Sequence, residues 1–221
     1  MMSKQYQTNV YVIDENFRNL SISVDTTNVI IEPSTDEKTT VVCFEKKKTK
    51  HKVIVNNDTL EITGLKRKWY NCVRFKQPKL TVSIPKNKLE NVLINCKTGN
   101  VDVRKINCVS DLDVNVFTGK TVIRNIYCNN FNSMGCTGKV SLENLIVSNE
   151  LTVKRCTGAV VFKDCDAAMV FVKTKTGSIK GHFLTEKGFV AKTTTGKIKV
   201  PNNQNGGRCE LKTTTGSIKF L

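Results

Sequence analysis

Residues 170–180 read VFVKTKTGSIK, and the Thr-Gly pair at the centre of this stretch decides the fold. The pair occurs seven times in the C-terminal part of the chain, at nearly constant intervals. A short repeat of nearly constant length is typical of a solenoid, in which every repeat supplies one turn. The seven threonines are Thr98, Thr118, Thr137, Thr157, Thr176, Thr195 and Thr215.

Apolar residues flank each of these Thr-Gly pairs at fixed distances. Most repeats carry them six and four residues before the threonine and three and five residues after it, as at Val172 and Ile198. Polar residues alternate with them. This period of two predicts a strand on each side of a Thr-Gly corner, with one face of each strand buried. Glycine suits the corner because it accepts positive φ angles without steric cost.

A third short strand is predicted in most repeats. Its first apolar position lies eight residues after the threonine, as at Cys165 and Leu184. Three short strands in each turn of roughly 20 residues predict an all-β chain that coils into a parallel β-solenoid, or β-helix, of about seven rungs. We favour a right-handed coil because parallel crossover connections are nearly always right-handed.

The N-terminal third does not follow the regular Thr-Gly spacing, but its alternating apolar residues also indicate strands. Residues 26–29 read TTNV and resemble the TGNV of residues 98–101, so they predict a first, divergent rung. We therefore predict that residues 1–91 form a β-strand region that caps the solenoid and that residues 92–221 form the repeats. The last repeat ends directly after its second strand, so we expect either a cap beyond it or stacking on another molecule.

Charge and cysteine content restrict the classes of partner and compartment. The 221 residues carry 35 Lys and Arg against 19 Asp and Glu, a formal net charge of +16, which favours anionic partners. Nine cysteines without a Cys-x-x-Cys motif argue against a disulfide framework and favour a reducing compartment. The sequence contains no signal peptide or membrane span, so it predicts a cytoplasmic protein. The alternative is the cell envelope, if an export signal or anchor has been lost.

Catalytic and cofactor motifs are missing from the sequence. The repeat half holds nine acidic residues in different columns, and the pair Asp164 and Asp166 is interpreted as solvated. The two histidines, His51 and His182, have no neighbouring nucleophile motif, and no glycine-rich phosphate loop is present. The sequence therefore predicts a protein that is not an enzyme and has no cofactor, no catalytic residues and no metal site.

Lysines recur at two outward positions of the repeats, and we call the two sets together the lysine ridge. The first lysine column, three residues before the threonine, comprises Lys154, Lys173, Lys192 and Lys212. The second lysine column, four residues after the threonine, comprises Lys180, Lys199 and Lys219. Stacked like charges predict a contact surface for a linear polyanion. The alternative is that these lysines serve only solubility and prevent edge pairing.

Aromatic residues give little support for nucleic-acid recognition. The sequence shows no stacking platform or groove-reading helix, so sequence-specific nucleic-acid binding is not expected. Trp69 and Tyr70 follow three basic residues, and this loop is predicted either to touch a membrane surface or to pack against the cap.

Two pairs of cysteines are predicted on adjacent rungs. Cys108 and Cys128 share an inward column and are interpreted as small apolar core residues. Cys136 and Cys156 directly precede threonines, so they are predicted to point outward within disulfide reach of each other.

The chain as a whole resembles the putative-adhesin family of bacterial proteins, whose repeats carry a recurring Thr-Gly-Ser/Asp-Ile. The resemblance rests on FRNLSI at 17–22, VIIEP at 29–33, LTVSIPK at 80–86 and the TGSI of 176–179 and 215–218. It implies a β-solenoid and an adhesin-like role. The predicted function is thus a non-catalytic binding or scaffold protein that engages an anionic polymer, a cell-envelope component or a membrane surface. The rival is a structural β-helix that polymerises end to end, as bactofilins do.

Overall fold

The computed structural model describes residues 6–48, 50–64, 77–85, 89–106, 110–202 and 205–221. These residues form twenty strands and no helix, which confirms the all-β prediction. The strands are β1 (Tyr6–Ile13), β2 (Asn19–Thr26), β3 (Asn28–Pro33), β4 (Thr39–Lys46), β5 (Lys52–Asn56), β6 (Thr59–Thr63), β7 (Lys79–Ile84), β8 (Asn91–Thr98), β9 (Val101–Arg104), β10 (Asp111–Thr118), β11 (Thr121–Cys128), β12 (Asn130–Thr137), β13 (Val140–Thr157), β14 (Val160–Lys163), β15 (Asp166–Thr176), β16 (Ile179–Gly181), β17 (Lys187–Thr195), β18 (Ile198–Lys199), β19 (Gly207–Thr215) and β20 (Ile218–Phe220).

The strands form two long walls on either side of the Thr-Gly corners. One wall runs in the order β5, β6, β2, β8, β10, β12, β13, β15, β19, β17. The other runs β1, β4, β7, β3, β9, β11, β13, β14, β16, β20, β18. All neighbours are parallel except β5–β6, β1–β4 and β4–β7. The result is a mostly parallel, solenoid-like sheet; its handedness and rung count stay predictions.

The threonines of the seven Thr-Gly pairs form one column in the structure, as expected for corners that recur at a nearly constant spacing. Thr118 lies opposite Thr98 on one side and Thr137 on the other, and the register continues through the later repeats. Gly119 has a φ of 147°, and a Cβ there would lie 1.9 Å from the carbonyl oxygen of Gly99. Only glycine fits this corner, because stacked corners bring the backbones too close for a side chain.

The last repeat occupies an unexpected place in the stack. Strand β19 lies between β15 and β17, and β20 lies between β16 and β18. The strands at this end of the described sheet are therefore β17 and β18. The expectation that the last repeat forms the end of the stack, and needs a cap or another molecule there, is wrong. The predicted core residue Ile198 belongs to β18 and is 45% exposed, because no described rung covers it. Val172, two strands further in, is buried as predicted.

The N-terminal strands show the same reversal of order. Strands β6 and β7 lie outside β2 and β3, although they follow them in the chain. The sheet then continues from β2 to β8 and from β3 to β9, across residue 91. Thr63-Gly64 is a further Thr-Gly pair, but Thr63 lies opposite Ser23 and so stays outside the threonine column. The domain boundary at residues 91 and 92 stays a prediction.

The predicted inward position of Leu184 is wrong by one residue. Leu184 is 55% exposed, whereas Phe183 is 7% exposed and forms a parallel bridge with Cys165. Ile179 pairs with Val160 on the preceding rung, and the chain from Ile179 to Phe183 is one residue shorter than the chain from Val160 to Cys165. The connection after β16 is thus shorter than in the preceding repeat, which turns the aromatic ring of Phe183 inward against Phe220.

Candidate functional site

The lysine ridge lies on the last strands of both walls. In the first lysine column the spatial order is Lys154, Lys173, Lys212, Lys192, and in the second it is Lys180, Lys219, Lys199. All seven side chains are exposed. Neighbouring strands lie about 4.8 Å apart, so the ridge carries one lysine of each column at three successive steps, and Lys154 alone at the fourth, where Val161 takes the place of a second lysine. The insertion of β19 and β20 therefore changes the order expected from the sequence but keeps both columns continuous.

Strand alternation explains why these lysines point outward. Lys173 follows the buried Val172 on β15, and Lys212 follows the buried Leu211 on β19. On the inner side, Thr174 is also buried and its hydroxyl donates to the Gly158 carbonyl at 3.4 Å. The threonine-rich segments therefore satisfy their own hydroxyl groups inside the solenoid and leave every second position free for a charge.

No lysine of the ridge forms an ion pair within the described residues. An outward column nearby and its immediate neighbours differ, because they contain both positive and negative charges. Their ion pairs are Arg104–Glu32 at 3.7 Å, Arg104–Asp102 at 3.7 Å, Arg124–Asp102 at 3.2 Å, Arg124–Glu143 at 3.6 Å and Lys163–Glu143 at 2.5 Å. The hydrogen bond and charge of Lys163 lower the pKa of Glu143. Positive charge is thus neutralised in that column and uncompensated on the ridge.

Two further lysines extend the ridge, although they lie outside the two lysine columns. Lys175 lies two residues after Lys173 on the same face, and Lys197 stands two residues before Lys199. Both are exposed and form no ion pair in the described part of the chain. Because neither belongs to a lysine column, the repeat pattern did not identify them. The high density of lysine in residues 173–199 is the feature of the sequence that could have indicated them.

The first lysine column continues into a groove of about 610 Å³ on the same wall. Met134 occupies the position next to Lys154 and is 43% exposed, and Phe117 nearby is 63% exposed. The amides of Asn115 and Asn95 follow in the same column, joined by a hydrogen bond of 3.1 Å. The ridge thus borders a surface that offers apolar and amide contacts.

Arg155 carries a buried positive charge beside the end of the first lysine column. Its guanidinium donates to the Ser133 hydroxyl at 2.9 Å, the Thr121 hydroxyl at 3.2 Å and the Lys154 carbonyl at 3.0 Å. Burial lowers the pKa of Arg155 to about 10. Gly135 on the adjacent strand provides the space, because a Cβ there would lie 2.8 Å from the guanidinium. The feature of the sequence that could have indicated this buried charge is an arginine at an inward position of the repeat.

The other residues considered from the sequence lie in separate environments. Asp164 pairs with His182 at 3.4 Å, and Asp166 pairs with the buried Lys187 at 2.5 Å, so the two carboxylates do not share a partner. Cys136 lies beside Cys156, since their neighbours are in register, and both are free and partly exposed. Cys128 is buried as predicted. Cys108 and the loop with Trp69 and Tyr70 lie outside the described residues.

A second cluster of polar groups lies at the opposite end of the solenoid. Cys43 and Glu45 point inward from β4, and His51 precedes β5; all three are buried. Glu45 Oε2 accepts from the His51 backbone N–H at 2.5 Å and lies 2.6 Å from His51 Nδ1. Asn9 donates to Glu45 Oε1. Burial and then the charge of Glu45 raise the pKa of Cys43 to about 12. The three residues follow no metal-site spacing, so this cluster could not be identified from the sequence.

The comparisons with known proteins concern the fold. A search of the curated proteins found no match. A putative adhesin from Bacteroides fragilis is 21% identical, with a TM-score of 0.66, over 99% of this chain and 98% of the other. One from Parabacteroides distasonis is 12% identical, with a TM-score of 0.48, over 98% and 97%. A putative cell adhesion protein from Clostridium sporogenes is 12% identical, with a TM-score of 0.47, over 98% and 99%.

The similarity to the Bacteroides fragilis structure extends over nearly the whole of both chains and shows a shared fold. In the part of the chain that the structure describes, no helix has the length and apolar character needed to cross a membrane. The family model described as Toastrack DUF4097 matches residues 17–220. The repeats, the parallel sheet and this match agree, and the chain belongs to the Toastrack DUF4097 family.

Proposed function

We propose that this protein is a non-catalytic, adhesin-like binding module whose lysine ridge engages a linear polyanion. The observation that carries the proposal is the alignment of seven exposed lysines in two columns without an ion pair in the described residues. The Bacteroides fragilis structure, which is described as a putative adhesin, shares the fold and supports this class of function. The proposal excludes catalysis, and the separate pairing of Asp164 and Asp166 agrees with this.

The spacing of the ridge determines the kind of ligand that it suits. Two unit charges 4 Å apart repel by about 1 kcal/mol in water, so stacked lysines favour bound counter-ions or an anionic partner. A polymer with regularly spaced anionic groups, laid along the stack, releases its counter-ions as it contacts successive lysines. Lysine is a flexible point charge rather than a bidentate donor, so the ridge recognises charge density and little else.

Binding of inorganic polyphosphate, measured by fluorescence anisotropy at increasing salt, tests the proposal. We expect the affinity to fall steeply with salt. Changing Lys173, Lys212, Lys180 and Lys219 to Gln removes the centre of both columns. At about 0.7–0.9 released counter-ions per lysine, the loss of four lysines should lower the magnitude of the slope of log K against log salt by roughly 3. Failure of the parent protein to bind polyphosphate at low salt would contradict the proposal.

A matched control separates the ridge from the net charge. Lys47, Lys48, Lys50 and Lys52 are exposed lysines at the far end of the molecule, and changing them to Gln removes the same four charges. This variant should retain the affinity and salt slope of the parent within about twofold, because short-range contacts dominate once the salt screens distant charges. Equal losses in both quadruple variants would show that only net charge matters.

End-to-end assembly is the rival function, and the arrangement of β17 and β18 supports it. Among the described strands, β17 pairs with β19 alone and β18 pairs with β20 alone, so both have an open edge. Val190 and Ile198 at this end are 61% and 45% exposed. An open, apolar strand edge is able to pair with another chain. Sedimentation velocity at increasing concentration tests this rival, and a monomer at every concentration removes it.

A further inference from the structure

We propose that Cys43, Glu45 and His51 form a binding site for a divalent transition metal ion of the zinc class. The proposal is independent of the lysine ridge and departs from the sequence-based expectation of no metal site. The three side chains supply a thiol, a carboxylate and an imidazole, which is a donor set that Zn²⁺ uses in proteins. Their candidate ligand atoms all lie within 4.8 Å of one another.

The local fold brings the three groups together. Strand β4 alternates buried and partly buried residues, so Cys43 and Glu45, two positions apart, point to the same inner side. The chain then turns between β4 and β5 and returns His51 to that side, where its backbone N–H donates to Glu45. In a tetrahedral zinc site, bond lengths of 2.0–2.3 Å place the ligand atoms roughly 3.3–3.6 Å apart. Closing the cluster around an ion therefore requires shifts of roughly 1 Å in these ligand atoms.

The groups around the three ligands suit a metal site. Asn9 on β1 holds Glu45 Oε1, which leaves Oε2 directed at His51. The other ring nitrogen of His51, Nε2, lies 3.4 Å from the Thr27 hydroxyl. Metal-binding histidines commonly use one ring nitrogen for the ion and donate from the other to an oxygen. On binding, the ion would displace the Cys43 thiol proton to solvent and would be held by the resulting thiolate, His51 Nδ1 and Glu45 Oε2.

The position of Gly64 leaves the cluster close to the surface. Gly64 lines the groove beside Phe117, and a Cβ at Gly64 would lie 3.5 Å from His51 Cδ2 and Nε2. The histidine ring is thus separated from the groove by a residue without a side chain. Three protein ligands leave a fourth tetrahedral position, which water occupies in open zinc sites.

Cobalt(II) provides a direct probe, because it substitutes for zinc and reports its ligands. The full chain, purified with a chelator and then dialysed, is titrated with Co²⁺ under reducing conditions. We expect one equivalent to bind, with a thiolate-to-metal charge-transfer band and the intense visible bands of a tetrahedral ion. Excess Zn²⁺ should remove both signals and raise the Tm. A parent protein with neither a thiolate band nor a Zn²⁺-dependent Tm shift overturns the proposal.

Variants assign the signal to the cluster. Cys43→Ser should abolish the charge-transfer band, and Glu45→Gln and His51→Gln should each weaken Co²⁺ binding more than tenfold. Cys209→Ser is the matched control, since Cys209 is an equally buried cysteine at the other end of the solenoid. Loss of the band in Cys209→Ser together with its retention in Cys43→Ser contradicts the assignment.

A measurement on the parent protein covers the case in which a cluster variant does not fold. The Zn²⁺-loaded and metal-free proteins are alkylated during mild denaturation, and peptides are quantified by mass spectrometry. Bound Zn²⁺ should slow the alkylation of Cys43 at least tenfold more than it slows the alkylation of Cys209. Equal protection of both cysteines would mean that Zn²⁺ only stabilises the fold, and it would overturn the proposed site.

Discussion

Lys173 and Lys212 lie side by side on β15 and β19, although a whole repeat lies between them in the sequence. Lys192, which stands between them in the sequence, lies beyond Lys212 in space. This relationship distinguishes the observed stack from one in which the repeats follow one another in order.

Paired cysteines test that order. In a cysteine-free background, Lys173→Cys with Lys212→Cys should form a disulfide on mild oxidation, because adjacent strands bring their Cα atoms to about 4.8 Å. Lys173→Cys with Lys192→Cys should not, since two strand spacings exceed disulfide reach. Non-reducing mass spectrometry of the peptides measures both. The opposite result would restore the sequential order of repeats.

The burial of the apolar columns predicts a graded response to charge. Val172→Asp places a carboxylate in a dry interior and should lower the free energy of unfolding by several kcal/mol. Ile198→Asp should cost about 1 kcal/mol or less, since Ile198 is 45% exposed on the outermost described rung. Lys173→Asp, next to Val172, should be nearly neutral. Urea titration followed by circular dichroism ranks the three, and equal destabilisation would show that the strand register is off by one residue.

A side chain at Gly135 would clash with the backbone of the neighbouring strand, and shortening a nearby side chain would not relieve this clash. A Cβ there would lie 1.9 Å from the Val116 carbonyl oxygen as well as 2.8 Å from the Arg155 guanidinium. Gly135→Ala should therefore lower the free energy of unfolding by more than about 2 kcal/mol, also when Arg155→Ala is present. Gly64→Ala is the control, because its Cβ would meet ordinary contacts of 3.4–3.5 Å. Rescue of Gly135→Ala by Arg155→Ala would show that the guanidinium is the only obstacle.

The adjacent positions of Cys136 and Cys156 predict that oxidation forms a disulfide bond at this site. The two thiols are adjacent and partly exposed, so a mild oxidant should link them in the native protein. Cys128 is fully buried and should stay unmodified until the protein unfolds. Mass spectrometry after differential alkylation measures both, and rapid labelling of native Cys128 would contradict its core position.

The sequence was sufficient for the features that repeat. Thr-Gly spacing located the corners, and alternation placed Val172 inside and Lys173 outside, because the Thr-Gly pair recurs in every repeat and the alternation in most of them. It was insufficient for the order of the end strands, since the last two repeats share the same pattern of threonines, lysines and apolar residues. The exposure of Ile198 follows from that order, and the inward turn of Phe183 follows from one residue fewer in a connection.

The candidate sites divide in the same way. The lysine ridge was predicted because residues at the same position of successive repeats become neighbours in space when the repeats stack. Arg155 and the cluster of Cys43, Glu45 and His51 occur once each, so no periodicity marked them. Their placement depends on Gly135 making room for a guanidinium and on the turn between β4 and β5, which are tertiary features.

The intercalated position of β19 has a consequence for biosynthesis. The ribosome makes β15 and β17 before β19, so the partner of both strands is the last of the three to emerge. Until then, β15 offers an open edge to β17, and the lysine and threonine columns of these two consecutive repeats match equally well in that pairing. The nascent chain must therefore keep β17 undocked, or release it, before the native stack is completed. We therefore expect a translational pause within residues 187–206 to change the yield of correctly stacked protein while the native contacts stay the same.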